Sequence, residues 1–150
     1  MVDDVGFMQK ACALAAQAMQ MDEVPVGAVV VYDNQIIGEG WNQPIDRCDP
    51  TAHAEIIALR SAAKQVGNYR LINCTLYVTL EPCMMCAGAI IHSRIERLVF
   101  GALDPKLGAA SSTSNLFTAN HINHHVQVQG GILQEECSSL LTEFFQKKRS

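Results

Sequence analysis

The sequence lacks the features of a membrane-spanning or secreted protein. No apolar run approaches the roughly 20 residues that a membrane-spanning helix needs, and the longest run, residues 24–32, is interrupted by Pro25 and Gly27. Residues 1–4 include two aspartates where a secretory signal would be basic. We therefore expect a soluble protein of the cytoplasm with no membrane partner.

The sequence also lacks an excess of positive charge. Its 11 Lys and Arg residues are outnumbered by 15 Asp and Glu residues, which gives a formal net charge of −4. This balance argues against a general nucleic-acid-binding protein with a broad basic surface, although a local basic patch remains compatible with it. No repeat, linker or low-complexity segment interrupts the chain. With 150 residues, 49% of them hydrophobic, we expect one packed globular domain over residues 1–150.

Hydrophobic periodicity predicts helices and strands that alternate along the chain. We predict helices over residues 5–21, 49–66, 83–92 and 134–148. We predict strands over residues 26–32, 36–41, 74–80, 97–101 and 126–129. Asp49 and Pro50 would cap and open the second helix, and Gly67 would end it. The alternation indicates an α/β fold in which helices cover both faces of a mainly parallel or mixed sheet.

Two predicted elements are apolar enough to be buried. The strand over residues 26–32 is β-branched and almost wholly apolar, which is typical of a strand covered on both faces. The helix over residues 83–92 is apolar on almost every side, so we expect it to be buried as well.

The six cysteines include one closely spaced pair, Cys83 and Cys86. Without a secretory signal, reduced thiols are favoured over disulfides. The spacing of three places both sulfurs on one face of a helix, and the partial positive charge of a helix N-terminus favours the metal-binding thiolate. Taken alone, the pair is also compatible with a redox dithiol, half of a zinc ribbon or two core residues.

The sequence has no second pair of this kind. A structural zinc site needs four protein ligands, usually with a second close pair, and the cysteines at positions 12, 48, 74 and 137 are widely scattered. A catalytic zinc needs three protein ligands and an open position for water. His53, Cys83 and Cys86 make up such a set, and each fragment lies at or near a predicted helix start.

Glu55 follows His53 by two residues and is the candidate proton carrier. In the middle of a helix the two side chains would point about 200° apart. At the first turn, however, both can reach a site that lies off the helix end, and we expect the structure to meet this requirement. Glu55 would then lie near a zinc-bound water, whose pKa falls towards about 7, and could move protons.

These residues match the H-x-E…P-C-x-x-C signature of zinc-dependent nucleobase deaminases. Flanking segments resemble bacterial tRNA adenosine deaminases over nearly the whole chain. The matching segments are PVGA at 25–28, WN at 41–42, TAHAE at 51–55, LYVTLEPC at 76–83, SRI at 93–95 and GAxDxKxGA at 101–109. The pair Phe144 and Phe145, followed by basic residues, is similar to the C-terminal helix of that family.

The resemblance implies a cytidine deaminase-like α/β/α sandwich around a five-stranded mixed sheet, with one zinc ion per subunit. It also implies a homodimer that binds a tRNA anticodon stem-loop across both subunits. The implied reaction is hydrolysis of the wobble adenosine to inosine with release of ammonia. Zinc-activated water would attack C6 of the adenine, and Glu55 would move the protons.

Further roles are implied position by position. Asn42 would hydrogen-bond the flipped base, and Val26 and Ala54 would help wall the pocket. The residues expected to hold flanking nucleotides are Asp104, Lys106, Asn123 and Phe145.

Two positions depart from the family, since many relatives have arginine in place of His125 and tryptophan in place of Tyr69. The first departure weakens the expected positive surface.

Three other functions stay open on the sequence. The nearest is a free-base deaminase, such as guanine deaminase, with the same zinc centre. The others are a non-catalytic zinc module and a thiol oxidoreductase. Intact Glu55 and the absence of a fourth protein ligand argue against the non-catalytic module.

Overall fold

Five strands form one mixed sheet in a computed structural model, which describes residues 2–149. The strands are β1 (Gly27–Tyr32), β2 (Gln35–Trp41), β3 (Thr75–Leu80), β4 (Arg97–Ala102) and β5 (Gln127–Gln129). They are arranged in the order β2-β1-β3-β4-β5. Strand β1 is antiparallel to both β2 and β3, whereas β3, β4 and β5 are parallel.

Helices cover both faces of this sheet. They are α1 (Asp4–Gln20), α2 (Pro44–Arg47), α3 (Ala54–Val66), α4 (Met84–His92) and α5 (Gln134–Arg149). Helices α3 and α4 pack on one face, and α1 and α5 pack on the other. The prediction of a three-layer α/β/α sandwich with a five-stranded mixed sheet is confirmed. Within residues 2–149, no helix has the length and apolar character needed to cross a bilayer.

Strand β1 contributes to both hydrophobic layers, as its continuous apolar sequence predicts. Ala28 and Val30 pack in the layer formed by α3 and α4. Val29 and Val31 pack on the opposite face, against α1. Because both faces are covered, β1 is an interior strand of the fold, between β2 and β3.

Small residues allow α3 to pack directly on β2. A Cβ atom added to Gly40 would lie 2.5 Å from the carbonyl oxygen of Ala54 and 2.7 Å from the amide nitrogen of Ala58. A Cβ atom on Gly38 would lie 2.5 Å from the carbonyl oxygen of Ala58 and 2.8 Å from the Cβ of Ala62. This close approach fixes the N-terminus of α3 relative to the sheet.

The prediction that a helix begins at Asp49 and Pro50 is wrong, because α3 begins at Ala54. The Asp49 carboxylate instead accepts hydrogen bonds from the backbone N–H of Thr51, at 2.9 Å, and from its hydroxyl, at 2.8 Å. Such local side-chain bonds stabilise a turn in competition with a helix. The end of the helix is confirmed, since Gly67 follows it with a φ of 72°.

The prediction that α4 is buried on nearly every side is also wrong. Its residues Cys86, Ala87, Ile90 and Ile91 are buried, but Met84 is 70% exposed. One face of the helix packs on the sheet, and its first turn carries an apolar side chain outwards.

Candidate active site

The candidate metal ligands come from the N-termini of two helices. His53 is the N-cap residue of α3, and Cys83 is the N-cap residue of α4, where Pro82 separates the helix from β3. Nδ1 of His53 lies 3.4 Å from Sγ of Cys86 and 3.7 Å from Sγ of Cys83. The three potential ligand atoms all lie within 4.8 Å of one another.

These distances fit a metal ion held between the three side chains. Tetrahedral ligands at typical zinc–sulfur and zinc–nitrogen distances leave the nitrogen and each sulfur about 3.6 Å apart. The observed separations of 3.4 and 3.7 Å fall on either side of that value. One imidazole and two thiols therefore form a group that is compatible with metal binding.

Glu55 lies beside this group because α3 begins where it does. It is the second residue of α3, and its side chain is buried, with 4% exposure. His53 precedes the helix with an extended ψ of 155°, so its side chain does not follow the helical direction. Both side chains line the same cavity. The structure thus meets the requirement that His53 and Glu55 reach one site from a helix end.

The pKa values of the two cysteines are shifted in opposite directions. The pKa of Cys83 is lowered to about 3, mainly by a hydrogen bond from Cys86 and further by its contact with His53, against the opposing effect of burial. The same hydrogen bond, together with burial, raises the pKa of Cys86. The pKa of His53 is raised, chiefly by its hydrogen bond with Cys83. The hydrogen bonds within the group therefore favour deprotonation of Cys83 over deprotonation of Cys86.

The carboxyl group of Glu55 has an unusually high proton affinity. Burial raises its pKa to about 7, although the neighbouring His53 acts in the opposite direction. A carboxyl group with a pKa near neutral can both accept and donate a proton at that pH. Glu55 is thus equipped for general acid–base chemistry.

A cavity of about 540 Å³ opens over these residues. Eight of the site residues predicted from the sequence line this cavity. They are Val26, Asn42, His53, Glu55, Cys83, Asp104, Lys106 and Phe145. Ala54 and Cys86 are fully buried next to it. Asn123 is exposed in the segment that precedes β5, and it does not line the cavity.

Sequence reasoning missed several residues that line the cavity. They are Val24, Leu80, Glu81, Leu103, Pro105, Leu107 and Leu141. Leu103 and Leu107 are exposed and flank Asp104 and Lys106, so apolar residues within a polar loop could have identified them. Glu81 directly precedes Pro82 and Cys83 in the sequence, but no pattern in the neighbouring residues indicates which distant residues it contacts.

Comparison with known proteins places this site in a family. The model of the MafB19-like deaminases matches residues 2–149. A tRNA-specific adenosine deaminase of Haemophilus influenzae is 59% identical over 147 residues, which cover 97% of this chain and 85% of that protein. This chain belongs to the tRNA-specific adenosine deaminases. A member of the family from Bacillus subtilis is 43% identical over 149 residues, or 99% of this chain and 92% of that protein.

Solved structures of deaminases share the fold. A structure from a study of A-to-I editing by tRNA:A34 deaminases superposes with a TM-score of 0.88 at 43% identity, covering 91% of this chain and 99% of that one. A guanine deaminase of Bacillus subtilis superposes with a TM-score of 0.65 at 32% identity, covering 82% of this chain and 89% of that one. The family therefore has structural relatives that act on a free base.

Proposed function

We propose that this protein hydrolyses the wobble adenosine of a tRNA anticodon to inosine and releases ammonia. The observation that carries the proposal is the buried Glu55 carboxyl group, which lies beside His53, Cys83 and Cys86 at the inner end of the cavity. The names of the Haemophilus influenzae and Bacillus subtilis relatives support a tRNA substrate.

We also propose that His53, Cys83 and Cys86 hold one zinc ion in each subunit. Their nitrogen and sulfur donors and their separations suit zinc, and three protein ligands leave a fourth position open. When bound, zinc supplies Lewis-acid chemistry that lowers the pKa of a water ligand to about 7. Cys83 is already disposed to be a thiolate, because Cys86 and His53 lower its pKa.

In this proposal, Glu55 carries the protons of the reaction. It takes a proton from the attacking water and gives it to the ring nitrogen next to C6. It then takes the remaining proton from the new C6 hydroxyl and delivers it to the amino group, which leaves as ammonia. A C6–O bond forms and the C6–N bond to the amino group breaks, so one water is consumed and one ammonia is released. A pKa of about 7 suits a group that must accept and release a proton in one cycle.

Asn42 orients the base. Its side-chain oxygen accepts a hydrogen bond from the backbone N–H of Ala54, at 2.8 Å. With the oxygen engaged, the NH₂ group is the part of the amide that can donate to an acceptor on the adenine. Val26 lines the cavity and walls the base pocket, and Ala54 is fully buried beside Glu55 and supports this wall from behind.

The outer part of the cavity binds the nucleotides that flank the target. Lys106 can approach a phosphate, and Phe145, which is 44% exposed, can stack on a base. The Asp104 carboxylate accepts hydrogen bonds from the backbone N–H groups of Lys106 and Leu107, both at 3.1 Å, and so shapes this loop. Asn123 lies outside the cavity, so we assign it to a more distant part of the RNA.

A homodimer accompanies this function. Support comes from apolar side chains on the outer side of α3 and α4, where Met84 and Tyr69 are exposed. A groove of about 310 Å³ between these helices includes Leu59 and Ala89. Light scattering of the purified protein should give twice the subunit mass of 16.4 kDa, and a single subunit mass would contradict the dimer.

A Glu55→Ala variant tests the catalytic role. We expect it to retain zinc, measured by metal analysis, but to lose turnover of an anticodon stem-loop by roughly 10²–10⁴-fold, the usual contribution of a general acid–base. The surface variant Glu39→Ala should behave like the wild type. Persistent turnover by Glu55→Ala would contradict the mechanism.

A free-base deaminase remains the competing function because the guanine deaminase of Bacillus subtilis shares the fold at 32% identity. Both functions would use the same inner residues, so Glu55→Ala cannot separate them. A direct comparison of the stem-loop with guanine as substrates separates the two.

A further inference from the structure

Glu81 is buried at the cavity but has no part in the chemistry proposed above. It follows the end of β3 and is only 2% exposed. A buried carboxylate is costly unless hydrogen bonds compensate for the loss of water. Glu81 accepts five such bonds, all of them from residues 104–112.

The five donors lie at both ends of one segment, residues 103–112, which we call the rim loop. At its start, Oε1 of Glu81 accepts from the backbone N–H of Asp104, at 3.1 Å. At its end, Oε2 accepts from the backbone N–H groups of Ala110, Ser111 and Ser112, at 3.0, 2.8 and 3.0 Å. The Ser112 hydroxyl also donates to Oε1. One carboxylate thus ties the two ends of the rim loop together.

The middle of the rim loop also contacts this carboxylate. A Cβ atom added to Gly108 would lie 2.3 Å from Cδ of Glu81, so the glycine backbone packs directly on the carboxyl group. The neighbouring Ala109 donates its N–H to the carbonyl oxygen of Pro82, at 2.8 Å. The rim loop is therefore attached to the chain just before Cys83.

The residues held in this way form the outer wall of the cavity. Leu103, Asp104, Lys106 and Leu107 all line it. All five hydrogen bonds to the Glu81 side chain come from the rim loop, whereas His53, Cys83 and Cys86 contact one another directly. Loss of Glu81 should therefore displace the residues of the outer wall more than the side chains of the metal group.

We propose that Glu81 is a positioning residue, which holds the rim loop against the cavity and so sets the affinity for the RNA next to the target adenosine. The inference rests on the proposed function. It assigns to Glu81 an effect on RNA binding, separate from the proton transfer assigned to Glu55.

The conservative variant Glu81→Gln is the first test. Its amide oxygen can still accept from the three N–H groups of residues 110–112, but its NH₂ group then faces the N–H of Asp104, and two donors cannot bind each other. The start of the rim loop is released while the volume of the side chain is kept. We expect KM for an anticodon stem-loop to rise about tenfold, with kcat within about threefold of wild type, as for lost binding that is common to ground and transition states.

A second variant disturbs the same contact from the other side. Gly108→Ala keeps Glu81 but places a methyl group against its carboxylate, so we expect the same rise in KM. Because both changes affect one contact, their effects in the double variant should be smaller than the product of the single effects. Ser112→Ala removes one donor and keeps the four backbone donors, so its effect on KM should be the smallest of the series.

Zinc content and thermal unfolding of each variant are measured beside the kinetics. A rise in KM with unchanged zinc content supports the proposal. Unchanged KM in both Glu81→Gln and Gly108→Ala would overturn it, and so would a fall in kcat with loss of zinc, which would make Glu81 a support of the metal group. A wild-type protein that deaminates guanine but not the stem-loop would contradict the proposed function itself. A wild-type protein that deaminates the stem-loop, with variants of unchanged KM, would contradict only the role of Glu81.

Discussion

The inner end and the outer rim of the cavity are built in different ways. At the inner end, His53, Cys83 and Glu55 are held at helix N-termini that pack on the sheet, and Glu55 is buried. At the rim, Leu107 and Phe145 are exposed and belong to a loop and to the last helix. From this difference we expect chemistry to depend on the packed interior and recognition of the substrate to depend on side chains that face solvent.

The largest expected effect follows from removing a metal ligand at the inner end. Cys86→Ala leaves only two of the three ligand side chains. We expect loss of bound zinc and a fall in kcat/KM of about 10³-fold or more, since the activated water is lost with the metal. Metal analysis and an ammonia-release assay check this result. The exposed Cys48 provides the control, because Cys48→Ser should keep both zinc and activity; equal zinc contents in the two variants would refute the assignment.

A change outside the cavity should also damage the inner end if the packing of α3 fixes the site. Gly40→Ala forces a methyl group to within 2.5 Å of the carbonyl oxygen of Ala54. We expect the free energy of unfolding to fall by about 1–3 kcal/mol, as for other overpacked sites, and kcat to fall with it. Chemical denaturation and steady-state kinetics provide the measurements.

The adjacent residue provides a matched control for Gly40→Ala. Glu39 is exposed and forms a surface ion pair with Lys10, at 3.5 Å. Because such pairs contribute little, Glu39→Ala should change stability by about 1 kcal/mol at most and leave kcat unchanged. A Gly40→Ala protein as stable and active as Glu39→Ala would mean that α3 tolerates displacement from β2.

A smaller and more selective effect is expected at the rim. Phe145→Ala removes an exposed ring that lines the cavity. Stacking of a base on an aromatic side chain contributes about 1–3 kcal/mol, so KM for the stem-loop should rise by roughly tenfold with little change in kcat. Tyr32 is similarly exposed but lies outside the cavity. Equal KM values for Phe145→Ala and Tyr32→Ala would contradict the stacking role.

The smallest effect is expected at Asp4 in α1, which does not line the cavity, so that stability can be changed without touching the cavity. The pKa of Asp4 is lowered, first by hydrogen bonds from Arg97 at 2.8 and 2.6 Å and then by one from Tyr77, against the opposing effect of burial. A carboxyl group with a lowered folded pKa stabilises the protein above its ordinary pKa of 3.8. This contribution is lost as the pH falls through the folded pKa.

An Asp4→Asn variant tests that linkage. At pH 7 it should be less stable than the wild type by about 1 kcal/mol or less, because solvent screens the pair. The difference should shrink as the pH falls below about 4, while kcat and KM at pH 7 stay unchanged. Denaturation at several pH values gives the comparison, and a difference in stability that does not vary with pH would show that Asp4 contributes through packing alone.

The sequence predicted the inner end better than the rim for a physical reason. Short spacings, such as that of Cys83 and Cys86, act within one helix turn, so the sequence pattern carries them. The five bonds of Glu81 join it to residues 23 to 31 positions later, and no local pattern indicates them. The start of α3 was misplaced because the Asp49 side chain forms a turn with Thr51. The exposure of Met84 was not predicted because α4 is apolar on almost every side, so the sequence does not show which face of the helix packs on the sheet.

Deamination of the wobble adenosine is tested directly by inosine formation and ammonia release from an RNA anticodon stem-loop that carries this adenosine. Free guanine, cytosine and cytidine are assayed in parallel with the same preparation. We expect deamination of the stem-loop and none of the free bases or the nucleoside. Ammonia released from guanine, with no inosine formed in the RNA, would keep the Glu55 chemistry and contradict the substrate.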